Sequence, residues 1–268
     1  MTSVPAHDPG TTVARLRRIG GSQAVLPVIA LVLLLLFWEA AVAVLDMDPT
    51  MAAPPSRVLA AIPDVVTGDA YIPALLETLR LVTMGYAIAI VLGIVLGVLA
   101  GRVDFLDRSL TPLINGAYSA PLPALVPIIT AAFGIALQAK LLIVVALAIF
   151  PILINTHQGI VETDDKLVEV GRSFRSSTGQ MLRDVILPGA VPFMLVGLRL
   201  GAARALVGTV VAEFYTSPKG LGYQILVYSR RFDVASVFVP VLTLTIMALL
   251  AVRMLNVLER RLVPWTKR

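Results

Sequence analysis

Residues 81–100 read Leu-Val-Thr-Met-Gly-Tyr-Ala-Ile-Ala-Ile-Val-Leu-Gly-Ile-Val-Leu-Gly-Val-Leu-Ala, without one charged side chain. At about 1.5 Å of rise per residue, a helix of this length crosses the ~30 Å hydrocarbon core of a bilayer. The stretch therefore reads as a membrane span. Upstream, Ala24 to Leu45 carries a single charge, Glu39, and reads the same way. Over all 268 residues, 57% are hydrophobic and 15% charged, and the mean hydropathy is +0.88. Long uncharged blocks in such a composition exclude a soluble enzyme. With no cysteine, a disulfide framework, a CxxC redox motif and a thiolate metal site are all excluded.

Apolar length set against polar breaks predicts an all-α, polytopic membrane protein with six spans, at Ala24–Leu45, Leu75–Ala100, Leu110–Gly134, Lys140–His157, Pro188–Ala212 and Val234–Leu255. Residues 1–22 read as an N-terminal tail and 23–268 as one six-span domain, its core at 74–260 and its one long loop at 158–187. Pro112, Pro121, Pro123 and Pro127 interrupt the third span. A broken helix facing lipid would leave backbone groups without partners, so this segment is expected to face protein or a cavity. Arg15, Arg17 and Arg18 precede the first apolar run as in a signal peptide. The run is longer than an h-region and no small-residue cleavage site follows, so it reads as a retained span. Asp46–Pro73, with five prolines, is expected to form turns and one short helix.

Six spans put both termini on one side. With the termini inside, fourteen Lys and Arg lie in inner segments and five in outer ones, which orients both termini to the cytoplasm. The net charge of +5 is then a matter of topology, and nucleic acid is not expected as a partner.

Gly93, Gly97 and Gly101 repeat on one helix face, as do Gly197 and Gly201. Small residues at this spacing let a neighbouring backbone approach closely, either for packing alone or within a moving bundle. The loop 158–187 is predicted to hold a short helix with Thr163 as N-cap, Asp164 and Asp165 at its positive end, and Arg172 and Arg175 near its negative end. Leu167, Val170 and Phe174 form an apolar stripe on it, Glu169 and Arg172 lie on another face, and a second short helix is expected from Gln180 to Leu187. Such a stripe suits docking of a soluble partner, or a helix lying on the membrane surface.

This loop resembles the cytoplasmic signature of permease subunits in binding-protein-dependent ABC importers: Glu-Ala-Ala, three residues, Gly, nine residues, Ile, one residue, Leu-Pro. Here it reads Glu169-Val170-Gly171, Arg172-Ser173-Phe174, Arg175, nine residues, then Val185-Ile186-Leu187-Pro188. The spacing matches throughout; Val170-Gly171 replaces Ala-Ala and Arg175 replaces the Gly. A Gly takes a left-handed backbone that Arg takes only at a cost. From about Pro49 onward the chain is similar to the nitrate, sulfonate and taurine branch of that family. The similarity is carried by Ser119-Ala120-Pro121-Leu122-Pro123-Ala124-Leu125-Val126-Pro127, Phe133-Gly134, Phe150–Thr156, Gly197-Leu198-Arg199, Val211-Ala212-Glu213, Gly220-Leu221-Gly222-Tyr223, and Leu258-Glu259-Arg260-Arg261 with Trp265.

The resemblance implies a type I importer permease in a bacterial cell membrane, with a second permease copy, two copies of an ABC ATPase subunit carrying ATP and Mg, and an extracytoplasmic binding protein. It also implies a coupling role for Leu167, Glu169, Val170, Gly171, Phe174, Arg175, Leu187 and Pro188. No GxxxxGK[ST] phosphate loop occurs, so ATP is expected on the partner, and no cofactor on this chain. Candidates for the translocation path are Pro121, Pro123, Pro127, Arg204 and Glu213. Arg199 and Arg204 point about 140° apart on a helix. Arg199, nearer the cytoplasm, can snorkel or pair with the loop, and the deeper Arg204 suits the path. Glu213 could pair with Lys219, Arg230 or Arg231, or serve as a gate. A self-sufficient secondary transporter would show internal repeats and buried acids for ion coupling, and an intramembrane enzyme paired Asp, Ser with His, or HExxH; neither pattern is present. The resemblance favours a small anion as substrate, with a pyrimidine precursor, riboflavin-like or aromatic compound as the alternative.

Overall fold

The structure, a computed structural model, describes residues 25–262; the tail at 1–22, Ala24, Trp265, Lys267 and Arg268 lie outside the described residues. Contacts divide the chain into two units, one through Ala60 and one from Ala61 onward. In the first unit, α1 (Val25–Val44) is followed by turns and the start of α2 (Pro55–Thr67). The carboxylate of Glu39 accepts hydrogen bonds from the backbone N–H (3.0 Å) and hydroxyl (2.6 Å) of Ser56, capping the first turn of α2.

The second unit is built on α3 (Tyr71–Arg102), α6 (Leu137–Val161) and α9 (Leu187–Thr216), with α6 in contact with both of the others. Glycine decides why. A Cβ added to Gly85, Gly93, Gly97 or Gly101 of α3 would come within 2.9 Å of Val144, Ile152, Thr156 or Ile160 of α6, respectively. The hydrogen at each of those α-carbons is what admits the opposing side chain, so the two backbones run in close contact along the length of the seam. On the other side of α6, Gly197, Gly201 and Gly208 of α9 meet Asn155, Ile152 and Val144. Leu81, Ile143, Val144, Ile152 and Ala205 form the buried centre of this bundle.

Residue numbers rise together along the α3–α6 seam, so these helices are parallel, whereas they run in opposite order along α6–α9, which is antiparallel. Parallel α3 and α6 require the intervening chain to cross the membrane once. That chain is α4 (Asp104–Ser119), a tight turn at Leu122–Leu125 and α5 (Val126–Phe133), whose two halves meet at 83°. A re-entrant loop would return α6 antiparallel. The bent pair is therefore one span, and with five unbroken apolar helices it makes six among the described residues. Pro121 and Pro123, which have no backbone N–H to donate, stand at the break.

The third predicted span is thus a bent pair rather than one helix, and the other span edges also shift. The fourth runs Leu137–Val161, taking in Gln138 and Asn155, and the second starts at Tyr71. The sixth, α11 (Val234–Leu262), continues past Leu255. It pairs with the others through Arg199 Nη2 to Glu259 Oε1 (3.0 Å) and a Tyr71–Thr243 hydroxyl contact (2.6 Å). Between α9 and α11, α10 (Leu221–Arg230) packs with Val65, Tyr71, Ala74 and Val239.

The expected second short helix from Gln180 to Leu187 is also corrected. It begins at Thr178 as α8 (Thr178–Met181), and the helix continues through one wide turn, Leu182–Ile186, into α9 without a stop. Leu187 donates its N–H to Leu182 five residues back. Widening the turn there gives room for the Pro188 ring, whose clash falls on the carbonyl four residues earlier.

Candidate functional site

The loop between α6 and α9 opens with α7 (Asp165–Ser173). Its N-cap is Asp164, whose Oδ1 accepts the Lys166 N–H at 2.9 Å; Thr163, expected to cap, instead donates its hydroxyl to the Gly159 carbonyl of α6. A carboxylate at the cap also faces the positive end of the helix. The inner face of α7 is Val168 and Gly171. Gly171 is buried against Met181, whose Cε stands 2.6 Å from where a Cβ would be, so a larger residue would require the flexible end of the Met181 side chain to move aside. That bed is the cluster of Ile160, Met181, Ile186 and Ala190, which joins the ends of α6 and α9. With Val168 and Gly171 turned inward, the stripe must point away: Leu167 is 52% exposed, Val170 53% and Phe174 81%. Glu169 and Arg175 are exposed with it, while Leu187 and Pro188 are half-buried at the start of α9.

The end of α7 explains the signature's glycine. The Arg175 N–H bonds the Arg172 carbonyl (2.9 Å) and the Ser176 N–H bonds the Gly171 carbonyl (3.1 Å), the paired bonds of a Schellman motif with Arg175 as the first residue past the C-cap. That residue must be left-handed, and Arg175 has φ +55°. The family places Gly where the backbone demands it; this chain places Arg there and keeps the turn. Ser177 and Gln180 then form a reciprocal capping box at the start of α8.

The residues proposed for a path are dispersed. Pro121, Pro123 and Pro127 are exposed at the bend between α4 and α5, so whatever excludes lipid from this irregular backbone comes from outside the second unit's own core. Arg204 is exposed midway along α9, beside Val207 and Leu200, and makes no ion pair or hydrogen bond among the described residues. Arg199 is held by Glu259 and does not reach the loop.

Glu213 is fully buried, and it does not pair with Lys219, Arg230 or Arg231. Its Oε1 accepts from the Thr78 hydroxyl (2.7 Å) and its Oε2 from the Gly222 N–H (2.7 Å). The Thr78 oxygen in turn accepts the Leu221 N–H at 2.9 Å. Gly220 sits with φ +104° directly against the carboxyl group, and a Cβ on Gly222 would stand 2.9 Å from Oε2. The Gly220-Leu221-Gly222 turn is thus wrapped on a carboxyl group, and the glycines permit it. Beside it, Lys140, also buried, donates to Ser217 Oγ (2.9 Å) and stands 3.6 Å from Glu77. Sequence reasoning missed Thr78, Lys140 and Glu77. The available signal was a carboxyl in an apolar span followed within ten residues by a Gly-x-Gly turn, whose free N–H groups are the natural partners. His157 meets Asp107 Oδ1 at 2.7 Å and ties α4 to α6.

Residues 89–268 match the family described as "Binding-protein-dependent transport system inner membrane component". Among curated relatives, the chain is 29% identical over 250 residues to the formylaminopyrimidine transport permease protein ThiX of Halalkalibacterium halodurans, covering 92% of this chain and 98% of that one. It is 30% identical to the riboflavin transport system permease protein RibX of Chloroflexus aurantiacus, over 98% of each chain. It is 33% identical to the putative aliphatic sulfonates transport permease protein SsuC of Bacillus subtilis, over 68% of this chain and 66% of that one. The fold is shared with a chain of the MetNI methionine ABC transporter in an inward-facing conformation: TM-score 0.63, 20% identity, 71% of this chain and 95% of that chain. With six spans, the signature loop between the fourth and fifth and these relatives in agreement, the chain belongs to the family of binding-protein-dependent inner-membrane transport components, and is a permease subunit of an ABC importer.

Proposed function

We propose that this permease couples to a separate ATP-hydrolysing subunit through Leu167, Val170 and Phe174 of α7, and that two copies of the chain enclose the path for a small solute handed over by an extracytoplasmic binding protein. The observation that carries the coupling role is the outward apolar stripe on a helix packed from behind through Val168 and Gly171 onto Met181. A stripe that is exposed while the opposite face is buried has the form of a docking surface. Glu169, exposed beside it, supplies an ionic contact at the rim, and the Arg175 turn and Leu187-Pro188 fix the loop's exit into α9. In this reading the loop side is cytoplasmic, as are both termini, in keeping with the excess of Lys and Arg in the loops assigned to that side.

The second copy covers the bend at Pro121, Pro123 and Pro127, whose exposed irregular backbone needs protein or water beside it. Arg204, a cation without a partner among the described residues in an apolar span, favours an anionic solute such as a sulfonate, taurine or nitrate. Relatives named for formylaminopyrimidine and riboflavin support the alternative, a neutral heterocyclic nutrient moved by the same machinery. Glu213 is read here as a structural latch of the path's outer end rather than a ligand for the solute, because its oxygens are occupied.

The test is Phe174→Asp. The variant is expected to reach the membrane at the wild-type level yet lose both co-purification with the ATPase subunit and uptake. Undiminished ATPase binding by that variant refutes the coupling assignment.

A further inference from the structure

On the loop side, the last turn of α3, the end of α6, the inner edge of α7 and the start of α8 border an open cavity of about 450 Å³. Its walls carry Arg102, Arg172, Ser176 and Thr178. Neither arginine has an ion pair among the described residues, and neither hydroxyl is spent as a donor. The one acid in the wall, Asp107, directs Oδ1 to His157 (2.7 Å) and Thr111 (2.9 Å). Two guanidinium groups facing one carboxylate leave the cavity net positive.

We propose that this cavity binds a phosphate group. Two guanidinium forks and two hydroxyls lining one cavity offer more donors than a carboxylate has oxygens to accept, and match the several oxygens of a phosphate. Arg102 is the last residue of a membrane-crossing helix, which puts the cavity at the level of lipid headgroups, where basic pockets between spans take anionic lipids. The group is therefore carried by an anionic phospholipid headgroup or is free inorganic phosphate. Val168 lines the same cavity from the inner face of α7. A bound phosphate bridging Arg102 on α3 to Arg172 on α7 would brace the helix that bears the exposed stripe, so occupancy sets how firmly that helix is presented.

The full-length chain, purified in a neutral detergent, is offered phosphatidylglycerol or phosphatidylcholine, and bound lipid is counted by native mass spectrometry beside the thermal unfolding midpoint. The wild type is expected to retain phosphatidylglycerol at a concentration at least tenfold below that needed for phosphatidylcholine, with a raised midpoint, or else to gain the same midpoint rise from millimolar inorganic phosphate alone. The first outcome assigns the lipid headgroup and the second free phosphate. The double variant Arg102→Gln, Arg172→Gln is expected to lose the effect, and Arg102→Lys, Arg172→Lys to keep part of it. The pair Ser176→Ala, Thr178→Ala, which leaves all charges in place, is expected to weaken binding several-fold and decides the matter if the Gln variant does not fold. Equal retention of the two lipids with no response to phosphate overturns the proposal, as does undiminished binding by the Gln or the Ala variant.

Discussion

Gly220→Ala tests the carboxyl latch most directly. Two costs arise from the structure. At φ +104° and ψ +165° the backbone lies where essentially only glycine goes, and an alanine there is strained by about 1–3 kcal/mol. The new Cβ also occupies the place of the Glu213 carboxyl group, which must swing away and surrender its bonds to Thr78 and Gly222. Each such bond contributes about 1–2 kcal/mol net, and a donor left buried without a partner costs a similar amount. The variant should therefore lose about 4 kcal/mol of stability, measured by reversible unfolding in mixed micelles titrated with an anionic detergent. The latch adds a sharper requirement. In a Glu213→Ala background the obstacle is gone, so the same Gly220→Ala change should cost only its backbone part, about 1–3 kcal/mol. The cycle must then show a coupling of about 2–3 kcal/mol. Additivity of the two substitutions within about 0.5 kcal/mol would refute the reasoning, since unrelated sites behave that way.

Arg175→Gly should stabilise the protein by about 1 kcal/mol, because the left-handed φ of +55° no longer carries a side-chain penalty; a loss of stability would mean that the Arg175 side chain makes a contact worth more than the strain. Arg204→Gln should reduce uptake several-fold while the unfolding midpoint stays near wild type, since no partner is left behind among the described residues; a large loss of stability with a matching loss of uptake would show a structural arginine instead. In a chain without native cysteine, Lys219→Cys should react with an impermeant thiol reagent in whole cells and Ser173→Cys only after permeabilisation. Both positions are exposed, unlike Ser217, which is buried against Lys140, and labelling of Ser173→Cys in intact cells would reverse the orientation.

Much of the candidate site was legible because its signals are local. The stripe of Leu167, Val170 and Phe174 follows from helical periodicity, and the Arg at the glycine position of the signature marks a left-handed residue that the backbone then displays. The N-cap was misplaced by one residue because Thr163 and Asp164 are both good caps, and Thr163 is drawn instead to the carbonyl of Gly159. The expected stop before Pro188 failed for a related reason: proline forbids an ordinary turn, but one wide turn removes the clash and lets a single helix run from Thr178 to Thr216.

What the sequence determined by itself is the number and approximate place of the spans, since a bilayer is a solvent that sorts residues by polarity one segment at a time and sets the length of a segment that can cross it. The glycine periods on α3 and α9 likewise announced close packing. Which helix fills those grooves was decided only in three dimensions: α6 does so on both sides, parallel to α3 and antiparallel to α9, and that direction is what makes the bent α4–α5 pair a full crossing. The partners of the buried polar groups were decided there too. Glu213 lies far in sequence from Thr78, and Arg199 from Glu259. Unlike charge looked sufficient to pair Glu213 with Lys219, Arg230 or Arg231, but those three residues are exposed while Glu213 is fully buried. A carboxyl group inside the bundle takes whichever donors the packing delivers to it, here one hydroxyl and one backbone N–H, because leaving it without them costs more than bending a glycine turn around it.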